Sequence, residues 1–137
     1  MPPAPAFHRQ LSFPAGPLPV SEGIGFTRRT LTAWFPRANP AACAEIVLIA
    51  AELLANAVQH AGGPLTLGLR MTQSGRIRIT VTDAGAEAPQ VGPALPERPG
   101  GHGMRIVDHL ARAWGTDPVA GGKGVWAECD PPTTSVP

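Results

Sequence analysis

Glu52 and Asn56 stand four residues apart in a run, Pro40 to Ala61, made mostly of Ala, Ile, Leu and Val. At about 100° per residue, a carboxylate and a carboxamide at that spacing share one face of a helix. A carboxylate can take a proton from water or a hydroxyl, and an amide oxygen is a ligand suited to a hard cation. Glu45 and Gln59 fall in the same stripe, roughly 60° wide, with His60 at its margin. Burying such groups without partners costs on the order of several kcal/mol, so the stripe must face water, a ligand or a metal. A solvated helix face is the plain alternative, and the stripe alone does not exclude it.

Two further groups lie downstream. Asp83-Ala84-Gly85 ends an alternating run, which puts a carboxylate at a strand's end beside a residue that lets the chain turn sharply. A turn cap would use the same residues. Gly100-Gly101-His102-Gly103 precedes Met104 to Ala111, a segment with apolar residues at 104, 107, 110 and 111. Small residues before a helix leave N–H groups free at its positive end, a seat for phosphate, although a simple hinge has the same composition. Between these groups, Ala86 to Gly100 has no periodicity and holds Pro89, Pro93, Pro96 and Pro99. A loop of that length in a compact domain is commonly a lid or a binding loop.

Other polar residues carry less. No strand leads directly into the glycines, so they are not a dinucleotide fingerprint, and the lysine-containing phosphate loop is absent. His60, His102 and His109 have no metal-ligand spacing, so zinc is not expected. Arg105 opens the helix after the glycines and could reach a phosphate, a protein partner or a surface carboxylate. Lys123 reads as a hairpin-turn residue. Trp114 and Trp126 are expected to pack together beneath the last hairpin, and Trp34 against the first helix.

The elements that must position these groups form a mixed α and β pattern. Asn39 is a good N-cap, Pro40 suits the first helical position, and Gly62-Gly63-Pro64 closes the other end of a helix that reads as buried nearly all round. An earlier helix runs from Ser21 or Glu22 to Trp34, with Pro36 ending it, and Gln10–Phe13 reads as a short strand. Leu65, Leu67, Leu69 and Met71 alternate with polar or small residues. After a turn at Thr72–Gly75, Ile77, Ile79 and Val81 alternate with Arg76, Arg78 and Thr80. These two strands should form an antiparallel hairpin with its apolar face under the helices.

At 137 residues the chain is expected to form one domain, 10–129, between disordered tails at 1–9 and 130–137. A net charge of +1 gives no electrostatic reason to expect nucleic acid or an anionic membrane as partner. No apolar run is expected to span a membrane, and the N-terminal residues lack the pattern of a signal peptide. Cys43 and Cys129 are too isolated for a disulfide framework and read as reduced, buried thiols, which points to a cytoplasmic protein.

Helix with Glu-x-x-x-Asn, hairpin, strand-end Asp-x-Gly, lid, then Gly-x-Gly at a helix start: in that order the set resembles the GHKL ATPase superfamily. Gyrase, the heat-shock chaperone, histidine kinases and MutL belong to it. Small size and the closing Trp114-Gly115 … Gly122-Lys123-Gly124-Val125-Trp126 look like its anti-sigma-factor serine kinase branch, in its stand-alone actinobacterial form. The resemblance covers roughly Gln10 to Cys129. It implies an α+β fold, a two-layer sandwich with helices on one face of a mixed, largely antiparallel sheet and ATP between the helix layer and the lid. It makes Asn56 the Mg²⁺ ligand and Glu52 the general base. Asp83 becomes the acceptor for the adenine amino group and Gly85 the residue that lets backbone approach the base. Gly101, His102, Gly103 and Met104 become the lid-side contacts to the phosphates.

The chain departs from the family pattern in three places. Ala86-Glu87 follows Gly85 where a second glycine is usual. A threonine that often helps bind adenine on the last strand has Gly124 or Val125 as its nearest counterpart. The lid is rich in proline. The resemblance implies a Mg²⁺-ATP-binding regulator that phosphorylates a serine on an antagonist protein. The alternative is a non-catalytic, nucleotide-gated module that docks a sigma factor or other regulator, and a third reading is a degenerate fold that has lost nucleotide. Family members often dimerise, so a homodimer is an expectation carried over.

Overall fold

A computed structural model of the chain describes residues 7–14, 19–87 and 103–132. Its elements are β1 (His8–Ser12), α1 (Pro19–Trp34), α2 (Pro40–Ala61), β2 (Pro64–Met71), β3 (Ile77–Asp83), α3 (Gly103–Leu110), β4 (Ala113–Val119) and β5 (Gly122–Cys129). The five strands form one open sheet in the order β1-β2-β3-β5-β4. All four pairings are antiparallel, so the mixed character expected of the sheet is absent among the described residues. The α+β architecture otherwise follows the expectation. β1 starts at His8 and so takes in two residues, His8 and Arg9, that had been assigned to the N-terminal tail.

α2 has the ends its sequence requires. The Asn39 side chain accepts from the N–H groups of Ala41 and Ala42 at 2.8 and 3.4 Å, and Gly62 closes the helix in the left-handed region at φ 76°. Ile46, Ile49, Ala50, Leu53, Leu54 and Ala57 are buried against α1, α3 and the sheet. The helix is not buried all round, however: Leu48 and Val58 are 41% and 46% exposed. Nor does the expectation that no apolar run reaches membrane-spanning length hold, because α2 has both the length and the hydropathy to qualify. Here those apolar residues form the core of a folded domain.

On the sheet, Leu67, Leu69, Ile77, Ile79, Val81, Val125 and Ala127 face the helices and are fully buried. Leu65 was expected among them but is 48% exposed. The register between β2 and β3 shifts between Pro64 and Thr66, and this irregularity takes Leu65 out of the alternation. Trp114 and Trp126 do not pack together either. They sit at adjacent positions across the β4–β5 ladder, where Trp114 pairs with Ala127 and Gly115 with Trp126, and so project to opposite faces. Trp114 packs against the core and donates to Asp108 of α3 at 2.8 Å. Trp126 lies on the outer face, under the Arg78 guanidinium at 4.1 Å. Trp34 closes α1 and meets Phe7 edge to face.

Candidate functional site

The polar stripe of α2 is the side of that helix the core leaves open. Glu52 and Asn56 are each half-buried, while Glu45, Gln59 and His60 are exposed. Neither Glu52 nor Asn56 has a hydrogen bond or ion pair among the described residues, so the carboxylate and the amide oxygen are uncommitted. Partial burial pushes the Glu52 carboxyl up from its ordinary value, because losing water disfavours the anion. That shift moves it toward the range in which a carboxylate works as a general base.

Asp83 sits at the end of β3, and the two-residue alternation that buries Ile79 and Val81 buries it too, with none of it exposed. Its Oδ1 accepts the Gly85 N–H at 2.8 Å, so the turn-cap role is real. The same oxygen accepts from Lys123 Nζ, also at 2.8 Å. Its Oδ2 is buried and has no partner among the described residues. An unsatisfied carboxylate oxygen in such a place costs free energy unless a donor arrives.

The sequence reading of Lys123 as a turn residue is therefore corrected. The turn of the last hairpin lies before it, and Lys123 is the residue of β5 directly across from Asp83, only 5% exposed. Alternation could have found it: Lys123, Val125, Ala127 and Cys129 are the inward-facing set of β5, whereas Gly124, Trp126 and Glu128 face out. By the same alternation Gly124 faces the outer side with Thr80 and Thr82, whereas Val125 faces the helices.

Glycines make this junction possible. A Cβ on Gly85 would lie 2.9 Å from Ala61 Cβ and from Lys123 Nζ, and one on Gly122 would collide with the Asp83 carbonyl oxygen. The contact with Ala61 ties the Asp-x-Gly turn to the C-terminal end of α2, the helix that carries Asn56 and Glu52. Along the helix Asn56 lies about 7.5 Å, and Glu52 about 13.5 Å, before Ala61.

The lid-side residues divide. Gly101 and His102, with most of the proline-rich segment, fall outside the described residues. Gly103 is the first residue of α3, and the Met104 side chain is 4% exposed in the core, which leaves only its backbone N–H for a ligand. Arg105 is exposed and makes no ion pair among the described residues. No group of three or more His, Cys, Asp or Glu side chains able to hold a metal occurs among them. Cys129 is buried, its thiol pushed up to about 12 by burial first and by Asp130 and Glu128 next. Cys43 is only half-buried, not buried as expected. A cavity of about 650 Å³, lined by Pro19, Val20, Ile24, Arg28 and Val58, lies along α1 and α2 and includes none of these groups. Chemistry, not cavity size, marks the site.

Residues 22–128 match the model of the histidine kinase-like ATPase domain, and the chain belongs to that family. Among solved structures it is similar to the RsbU and RsbW domains of Rv1364c from Mycobacterium tuberculosis, at 17% identity and a TM-score of 0.66. That match covers 90% of this chain and 32% of the other, so this chain spans about a third of that structure's length. The histidine kinase domain of a blue-light-activated histidine kinase from Erythrobacter litoralis matches at 20% identity and a TM-score of 0.46, over 82% of this chain and 61% of the other. No curated protein matches.

Proposed function

We propose that this protein is an ATP-dependent regulator of the anti-sigma-factor serine kinase type, which phosphorylates a serine of an antagonist protein. The observation that carries the reading is the buried Oδ2 of Asp83, without a partner among the described residues and an acceptor suited to the amino group of adenine. Glu52 and Asn56 add a poised base and a free amide oxygen on a connected element. The sequence resemblance to the anti-sigma-factor kinase branch, and the fold likeness to a structure that carries an RsbW domain, support the choice within the family.

In this reading Asn56 Oδ1 is the protein's oxygen ligand to Mg²⁺. One amide oxygen fits a cation that keeps several waters and takes the rest of its shell from phosphates. When bound, Mg²⁺ neutralises charge on the transferred phosphoryl group. Glu52 takes the proton of the serine hydroxyl, Asp83 fixes the base, and the N–H groups at the start of α3 face the phosphates. Gly101, His102 and the backbone of Met104 belong to the same proposed subsite.

A kinase assay with the cognate antagonist tests it. Glu52→Ala should lose phosphoryl transfer by at least about 10²-fold while still binding ATP. Equal transfer by wild type and variant removes Glu52 from the mechanism. The rival reading is a non-catalytic, nucleotide-gated docking module that uses the same pocket. ATP binding by the wild type without transfer to any antagonist would select that rival.

A further inference from the structure

We propose that Lys123 is a specificity-determining residue of the nucleotide-base subsite, donating to ring nitrogen N1 of adenine while Asp83 Oδ2 accepts from the exocyclic amine. The inference rests on the ATP-binding reading and gives a role to a residue that this reading leaves without one.

The geometry begins with the commitments of the pair. Asp83 Oδ1 is saturated by the Gly85 N–H and Lys123 Nζ, both at 2.8 Å. Oδ2 has no partner. Lys123 carries three N–H donors, of which one is used among the described residues. Its side chain is 7% exposed and that of Asp83 is 1% exposed, so bulk water is a poor partner for either. The junction therefore offers an acceptor and a donor side by side. The edge of adenine offers the complement, an amine donor beside a ring-nitrogen acceptor.

Guanine presents the same two positions with donor and acceptor exchanged. In the same pose its O6 would meet the carboxylate and its N1–H the ammonium, two like-on-like contacts. A site built from buried polar groups rejects such a mismatch more strongly than an apolar slot can. A threonine could turn its hydroxyl to suit either base, whereas an ammonium only donates. The residue across from Asp83 thus sharpens the choice of base.

Equilibrium titration of the full chain with Mg²⁺ and three nucleotides tests this: ATP, GTP, and 1-deaza-ATP, in which C–H replaces N1. The wild type should bind 1-deaza-ATP about tenfold more weakly than ATP, the loss of one hydrogen bond to a charged donor. GTP should be weaker by about 100-fold or more. In Lys123→Met the difference between ATP and 1-deaza-ATP should vanish. Because that variant leaves a buried carboxylate unpaired, Asp83→Asn/Lys123→Met provides a charge-neutral background in which the same difference should also be absent. A wild type that binds ATP and 1-deaza-ATP equally overturns the role of Lys123 and leaves the ATP reading standing. A wild type that prefers GTP, or a variant that keeps the tenfold difference, overturns it too. A wild type that binds none of the three overturns both.

Discussion

Two carboxylates of this domain live in opposite environments, and each environment sets the carboxylate's chemistry. Asp83 is buried at a strand end and held by a lysine and a backbone amide, an arrangement that fixes its position. Glu52 has no partner among the described residues and is partly stripped of water, an arrangement that leaves it free to exchange a proton. Desolvation raises the folded-state value of Glu52, so between its ordinary value near 4.5 and that raised value the folded form binds more protons than the unfolded. Stability attributable to this residue is therefore greatest at acid pH and falls as pH rises through that window. Glu52→Gln removes the anion and should raise the melting temperature at pH 7.5 by more than at pH 4. Thermal denaturation of the two proteins across that range checks it. A gain that is the same at both pH values would mean that burial does not perturb the carboxyl.

The ends of α2 were legible in the sequence because capping chemistry is local: Asn39, Pro40 and Gly62 act on backbone groups within a turn of themselves. Strand faces were legible wherever alternation ran unbroken, as through Ile77, Ile79 and Val81. Leu65 escaped because a register shift with a partner strand cannot be read from one strand alone. Lys123 escaped because glycines on both sides made its strand look like a turn, and because its partner lies 40 residues away. The candidate site divides the same way. Glu52, Asn56 and Asp83 could be named from type and spacing; alternation along β5 turns Lys123 inward, but its place across from Asp83 emerges only from cross-strand register. Local legibility makes a local prediction. Asn39→Ala should cost about 1 kcal/mol, since it deletes the acceptor for two N–H groups at the helix start. Urea denaturation at constant m-value measures it, and a change under about 0.3 kcal/mol would show that water replaces the cap freely.

Across the whole molecule, the groups proposed to bind the nucleotide or act on it are divided between two layers. Asp83 and Lys123 belong to the sheet, and Glu52 and Asn56 to the helix laid over it, with the Gly85–Ala61 contact as the join between them. A ligand gripping both layers must be released before they separate, so binding should appear as global stability. At a free concentration about 100 times its dissociation constant, such a ligand adds about 2.7 kcal/mol. For a domain of this size that is a rise in melting temperature on the order of 10 °C. Mg²⁺-ATP should produce this rise in the wild type and in Glu52→Ala, whose carboxylate is assigned to transfer and not to binding. Asp83→Ala should lower the starting temperature, because Lys123 is left buried without its counter-charge, and should also lose most of the rise. The quantity that decides is the ligand-induced shift, not the starting temperature. An undiminished shift in Asp83→Ala would mean that the nucleotide is held elsewhere, and no shift in the wild type would mean that this chain keeps the ATPase fold without the ligand.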